Sequence, residues 1–268
     1  MKITDRTIDG GTPFDWGKTS LDYAKFRDIY PKEFYQKIAD RKLCIDGQAV
    51  LDIGTGTGVL PRNMYQYGAK WTAADISENQ IEQAKILSEG MDIDYYAVSA
   101  ENMDFPHNSF DVITACQCFW YFNHEILMPK LHCMLKPGGR ILVLYMAWLP
   151  FEDRIAGASE NLVLKYHPTW NGAGETVHPI AIPDCYKENF EFVYHEEFIL
   201  KVPFTRESWN GRMKASRGIG ASLSEKEISM WEQEHRTLLE RIAPDQFDIL
   251  HYGAAAELKK RVISCMGR

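Results

Sequence analysis

The chain has 268 residues, 45% apolar and 25% charged, with a net charge of -7. That length suits one large domain, or one core with an elaborated cap. The acidic balance argues against general nucleic-acid affinity, which needs clustered Lys and Arg against phosphate. No apolar run is long enough to span a bilayer.

The start, Met1-Lys2-Ile3-Thr4-Asp5, has no apolar stretch fit for a signal peptide. Cys44, Cys116, Cys118, Cys133, Cys185 and Cys265 are scattered, without a CxxC pair. They read as reduced thiols of a cytoplasmic protein. Cys116 and Cys118 can share one face of a strand end, but no nearby His completes a metal set, so no metal is expected.

Residues 1–20 mix Gly, Pro, Thr and Asp with Phe14 and Trp16 and read as an irregular arm. Residues 21–43 read as helical, with Pro31 near a helix start and Phe34, Ile38 and Ala39 on one face. Ala49–Ile53 is a short apolar run ending in glycines, the pattern of a buried parallel strand. Val59, Leu60, Met64 and Tyr67 then repeat at helical spacing until Gly68. Residues 71–76 form a second strand. Ser77 and Gln80 have the spacing of a capping box, and Ile76 and Ile81 that of its hydrophobic staple. Residues 93–98 and 110–115 are the third and fourth strands. A helix face follows in Leu127, Leu131, Met134 and Leu135, with Pro129 expected in its first turn. Lys136-Pro137-Gly138-Gly139 is expected to stop it before a fifth strand, 140–145.

Strand and helix thus alternate through residue 146, which implies a parallel, doubly wound α/β sheet covered on both faces. Residues 147–189 break the rhythm and read as a helix plus loops over the mouth of the sheet. Residues 192–202 are a further strand and 205–243 are mostly helical. The tail from Phe247 to Ile263 is a last strand, with 254–259 open to a helical reading.

The chemistry concentrates at Asp52-Ile53-Gly54-Thr55-Gly56-Thr57-Gly58. A strand ending in a Gly-rich turn that opens a helix is a general nucleotide-binding device. Here Val59 takes the place of the third dinucleotide-fold glycine, and no Gly-Lys-Ser/Thr follows, which excludes a Walker loop. Asp52 would repel a pyrophosphate at this turn. S-adenosyl-L-methionine carries no phosphate and offers an ammonium and a sulfonium, both favoured by an acid. Asp75, at the end of the second strand, can accept hydrogen bonds from ribose hydroxyls; its alternative is a solvated acid beside a helix.

Val50 to Leu60 resembles motif I of class I S-adenosylmethionine-dependent methyltransferases, and Asp75 resembles their motif II acid. Residues 99–106 with 109–113 resemble the segment that meets adenine and enters strand four. Leu135–Gly139 resembles the turn before strand five, so the likeness covers roughly residues 45–146. Asp22 to Pro31 resembles the Tyr…Arg-Pro-x-Tyr-Pro arm of small-molecule methyltransferases related to trans-aconitate methyltransferase, with Asp28 where that arm has Pro. Ubiquinone- and menaquinone-type methyltransferases are a further likeness.

The resemblance implies a mostly parallel, seven-stranded Rossmann-like sheet with helices on both faces and a helical cap. It implies an arm closing the site (1–44), a cofactor-binding core (45–146), a cap insertion (147–189) and C-terminal strands with a helical cap (190–268). Position by position it implies Asp52 toward the cofactor's amino group and the backbone of Gly54, Thr55 and Gly56 along its methionine portion. Asp75 and Ile76, with Gln80, belong to the ribose and adenine. Ser99, Ala100 and Glu101 edge the adenine, Cys116 and Gln117 face the methionine part, and Tyr23 closes over the cofactor. The product would be S-adenosyl-L-homocysteine and the partner a small-molecule acceptor, not nucleic acid or a membrane.

Methyl transfer needs near-attack geometry more than a fixed catalytic set. A carboxylate or thiolate acceptor needs no base, whereas an amine, phenol or alcohol usually does. Candidates for the acceptor pocket are Phe119, Trp120, Tyr121, His124, Trp148, Tyr166, His167, Trp170, Arg206, Trp209 and Arg212. His124, just after the fourth strand, is the candidate base; the alternative is an ordinary first-turn helix residue. Two other readings compete with the enzyme: a cofactor-binding protein without chemistry, and a nicotinamide-dependent oxidoreductase, against which Asp52 and the missing glycine count.

Overall fold

A computed structural model describes residues 2–261 of the chain. Met1 and residues 262–268, including Ile263 of the expected last strand and Cys265, lie outside the described residues.

Helices α1 (Ser20–Phe26) and α2 (Lys32–Asp40) precede β1 (Ala49–Ile53), α3 (Val59–Met64), β2 (Lys70–Asp75), α4 (Glu78–Leu87), β3 (Ile93–Ala97) and β4 (Phe110–Cys116). Then come α5 (His124–Met134), β5 (Leu135–Trp148), α6 (Arg154–Tyr166), β6 (Phe190–Thr205), α7 (Arg206–Lys214), α8 (Glu225–Ile242) and β7 (Gln246–Lys260). One seven-stranded sheet has the order β3-β2-β1-β4-β5-β7-β6. The first five strands pair in parallel, and β7 runs antiparallel to both its neighbours. The chain winds outward from β1 to β3 and returns to β4 on the other side of β1. A crevice therefore opens at the carboxyl ends of β1 and β4, where such sheets bind ligands.

Strand periodicity splits the core into two layers. Val50, Leu142 and Leu144 pack on one face with Phe34, Ile38, Trp71, Trp209 and Trp231. Leu51, Ile141 and Val143 pack on the other with Leu127, Leu131, Met134 and Tyr186. Alternate residues of each strand serve opposite faces, so the central strands read as unbroken apolar runs.

The structure differs from the sequence reading, or decides between its alternatives, in several places. Residues 21–43 form two helices, because α1 ends at Arg27, whose N–H bonds to Tyr23, and Pro31 sits at the start of α2. Pro129 lies well inside α5, since the Asn123 side chain caps the helix at Ile126 N–H. Its missing donor faces an exposed surface, where water can satisfy the Glu125 carbonyl. Leu135 already pairs with Phe110, and the register jumps to Val112↔Arg140, so residues 136–139 bulge out of a continuous β5. The capping box forms only in half. Ser77 accepts from Gln80 N–H, but Gln80 Nε2 donates to the Trp16 carbonyl, 3.2 Å away. Ile76 stays 40% exposed while Ile81 is buried, so Ile76 is not spent on a staple. Residues 254–259 are strand, not helix, within β7.

None of the described cysteines is in a disulfide, and no described helix is long and apolar enough to cross a membrane.

Glu257 of β7 ties the sheet to α2. It is buried and accepts from Arg41 Nε at 2.7 Å and from Arg140 Nε at 2.6 Å. Both arginines are partly exposed, which tempers the loss when the acid goes. Glu257→Gln is expected to lower unfolding free energy by about 2 kcal/mol, read as a lower urea midpoint at unchanged slope. An unchanged midpoint would mean the pairing contributes nothing net.

Candidate functional site

The turn after β1 is built on three glycines with left-handed backbone: Gly54 (φ 65°), Gly56 (φ 57°) and Gly58 (φ 72°). This conformation strains any residue with a Cβ. Space adds a second constraint. A Cβ at Gly58 would lie 2.3 Å from Tyr95 Oη, and one at Gly54 2.7 Å from Cys118 Sγ. Cys118 is itself bolted down, donating to the Ile53 carbonyl at 3.1 Å.

Two acids frame the turn. Asp75 ends β2, and its carboxylate accepts the Gly56 N–H at 2.8 Å and the Ser77 N–H at 2.9 Å. The loop and the second strand are thus held to one another through a single side chain. Burial raises the Asp75 pKa, and the two backbone donors oppose that rise. Asp52 lies beneath the loop, 1% exposed, with Thr114 Oγ1 donating to it at 2.6 Å. Burial pushes its pKa up to about 7, against the pull of that hydrogen bond.

Above the loop lies a cavity of about 820 Å³. Of the residues marked in the sequence, Tyr23, Gly54, Gly56, Asp75, Ile76, Gln80, Ser99, Ala100, Glu101, Cys116, Gln117 and His124 all line it. Asp52 and Thr55 do not; both are buried under the turn. Sheet order arranges the lining. Asp75, Ile76 and Gln80 come from β2 and α4, and Ser99–Glu101 from the segment after β3. Cys116 and Gln117 come from the end of β4. Gln117 is itself strained, with φ 65°, and donates its amide to the Met146 carbonyl. Burial raises the Cys116 thiol to about 12, which keeps it protonated.

Of the expected acceptor-pocket residues, Phe119, Trp120, Tyr121, His124, Trp148, Trp170 and Arg212 line the same cavity. Tyr166, His167, Arg206 and Trp209 do not. Trp209 is core, donating to Ser159 Oγ; His167 meets the Gly218 carbonyl; Arg206 binds the Ala243 carbonyl; Tyr166 binds Glu234. His124 Nδ1 sits 3.1 Å from Tyr186 Oη, with Phe119 packed on its ring at 4.4 Å. Burial lowers its pKa, so the ring is neutral at pH 7 and able to accept a proton.

Several lining groups gave no usable sequence signal. Glu175 accepts from Tyr145 Oη and, at 3.2 Å, from Tyr252 Oη, and its Oε1 lies 2.9 Å from His178 Nε2. These residues meet only because β5, the cap and β7 converge. The N-terminal arm also reaches in through Ile3, Thr7, Ile8 and Trp16. Its anchor is the buried Asp9, 2.9 Å from Arg217 and from the Asn171 N–H. The spacing between Tyr23 and Arg27 did carry a signal, one helical turn, and the guanidinium stacks on the Tyr23 ring at 4.6 Å. No cluster of metal-ligand type is present among the described residues.

Comparison with known proteins bears on this geometry. Residues 51–143 match the family described as "Methyltransferase domain". Ubiquinone biosynthesis O-methyltransferase of Pseudomonas paraeruginosa is 29% identical over 133 residues, 48% of this chain and 56% of that protein. The chain spans about half the length of the curated relatives it matches. Among solved structures, a Bacillus halodurans chain described provisionally as a methyltransferase covers 85% of this chain and 99% of its own, with TM-score 0.53 and 16% identity. The cyclase SpnF covers 86% and 80%, with TM-score 0.50 and 19% identity. These structural likenesses establish the fold.

The buried Asp52 makes a pH prediction. Its folded pKa is raised above the unfolded value, so its contribution to stability is present below pH 4 and lost as pH rises through about 7. The unligated protein should therefore lose a few kcal/mol between pH 4 and pH 8 relative to Asp52→Asn, as urea midpoints at both pH values will show. Parallel pH profiles for the two proteins would contradict the raised pKa.

Proposed function

We propose that this chain, whose residues 51–143 form a class I S-adenosylmethionine-dependent methyltransferase domain, transfers a methyl group from S-adenosyl-L-methionine to a small-molecule acceptor and releases S-adenosyl-L-homocysteine. The observation that carries this reading is the Asp75 carboxylate, fixed by Gly56 and Ser77 N–H groups inside a large cavity.

The site fits such a ligand on three counts. Asp75 keeps lone pairs beyond the two its backbone donors use, enough to accept from a pair of ribose hydroxyls. Gln80 Oε1 is buried with no partner among the described residues, and so can accept one more donor. Ile76 stands exposed beside Asp75, as a flat apolar surface for a base. A volume of about 820 Å³ is at the upper end for a single small ligand, which leaves room for an acceptor. When bound, the cofactor supplies an already activated methyl group on a sulfonium.

The chain's own residues then bind, orient and exclude water. Asp75 and Ile76 hold the nucleoside, with Ser99, Ala100 and Glu101 at its edge. The Gly54–Gly56 backbone, Cys116 and Gln117 line the amino-acid portion. Asp52, its pKa raised to about 7 by burial, is the carboxyl below the loop that a bound cation would ionise. Tyr23 in the arm (1–44) and the cap insertion (147–189) close the cavity over the core (45–146), while 190–268 complete the sheet and helical cap. His124, neutral and half-buried, is placed to take a proton from an acceptor that needs a base.

A second reading is a protein that binds the cofactor without methyl transfer. The likeness to a cyclase keeps it in view, since one fold hosts several chemistries.

Isothermal titration tests the reading first. S-adenosyl-L-methionine should bind in the micromolar range, and Asp75→Ala should weaken it at least ~10-fold. Transfer of isotope-labelled methyl onto a metabolite extract should follow. His124→Phe should keep cofactor affinity and, with an acceptor that needs a base, lose about 100-fold in rate. Binding without any labelled product would favour the non-catalytic reading.

A further inference from the structure

The charged groups of the cavity wall are Asp75, Glu101, Glu175, Arg27, Arg212 and Arg217, and all but one have partners. Asp75 holds two backbone N–H groups, Glu101 accepts the Asn123 N–H at 3.0 Å, and Glu175 serves Tyr145, Tyr252 and His178. Arg217 pairs with Asp9, and Arg27 donates to Tyr23 Oη at 3.4 Å. Arg212 has no hydrogen bond and no ion pair among the described residues. It is 5% exposed, and its Nε and Nη1 are buried without an acceptor. Its one polar-type contact is the face of Trp148, 4.9 Å below the guanidinium.

A buried cation without a counter-ion is costly, and proteins pair or hydrogen-bond such groups. Arg27 adds repulsion to the burial that already drives the Arg212 pKa down. Contact with the Trp148 face also restrains the guanidinium. That arrangement suits a planar anion taken in bidentate fashion.

Strand register sets Trp148 beyond the end of β4. Cys116 of β4 is level with Leu144 of β5. Trp148 lies four residues further along β5, about 13 Å at ~3.3 Å per residue. It is also one strand farther from β1 and its glycine turn. Arg212 lies on the Trp148 ring in the wall of the cavity, with Arg27, Tyr23, Tyr30 and Tyr145 as the titratable groups that act on it.

Resting on the function proposed above, we propose that the methyl acceptor carries a carboxylate, which Arg212 binds on the cap side of the cavity. The aromatic wall takes the rest of the acceptor, and the Arg212 pairing anchors and orients it. A phosphate dianion suits the spot less well, because Glu175 lines the same end.

The test uses benzoate, its neutral counterpart benzamide, and phenyl phosphate, titrated into the full chain saturated with S-adenosyl-L-homocysteine. Benzoate should bind about tenfold more tightly than benzamide, and that contrast needs no variant. Arg212→Gln should abolish the preference and Arg212→Lys should keep part of it, while both retain wild-type affinity for S-adenosyl-L-homocysteine. Equal binding of benzoate and benzamide overturns the proposal, as does a preference that survives in Arg212→Gln. Tighter binding of phenyl phosphate overturns the carboxylate assignment. Loss of S-adenosyl-L-homocysteine affinity in both variants would assign Arg212 to the cofactor instead. If the wild-type chain does not bind S-adenosyl-L-homocysteine at all, the functional reading itself fails, and this inference with it.

Discussion

The hydrogen bond from Gly56 N–H to the Asp75 carboxylate, 2.8 Å long, is the contact on which the site depends. It joins the turn after β1 to the end of β2 and presents the acid's remaining lone pairs to the cavity. It exists only because the turn can run through left-handed backbone at Gly54, Gly56 and Gly58. The tight fit of Cys118 and Tyr95 against that turn leaves no room for larger residues. Sequence, backbone conformation and ligand-facing chemistry are therefore one constraint seen at three levels.

Electrostatics divide the cavity. Around the glycine turn the fixed charge is acidic, with Asp75 in the wall and Asp52 beneath it. Burial raises the pKa of both, so each is poised to be stabilised by a cation. At the cap end Arg212 has no hydrogen-bond or ion-pair partner among the described residues, whereas Arg217 pairs with Asp9 and Glu175 accepts from Tyr145 and Tyr252. A cationic, phosphate-free nucleoside at one end and an anionic group at the other match that division.

Local signals in the chain anticipated the elements around the glycine turn. The run Ala49–Ile53, the three spaced glycines, Asp75 and the Ser77 cap are each short-range features. Eighteen of the marked residues meet at one cavity, most of them because parallel strands bring their carboxyl ends together. What stayed hidden depends on distant partners. Gln80 looked like half of a capping box, yet its amide goes to Trp16 in the arm. Asp9, within the irregular arm, is buried against Arg217. Asp52 lies under the loop, where Thr114 of β4 donates to it, a partner that spacing does not reveal. The Glu175 network joins three segments that have no pattern in common. Pro129 misled because proline is tolerated inside a helix only where solvent covers the freed carbonyl, and exposure is not written in spacing.

The most direct test of the central claim is a comparison of S-adenosyl-L-methionine with NAD in thermal-shift and titration experiments on the full chain. An acidic, phosphate-free site predicts saturable binding and a raised melting temperature with S-adenosyl-L-methionine, and neither with NAD. Stabilisation by NAD, with no response to S-adenosyl-L-methionine, would contradict the account.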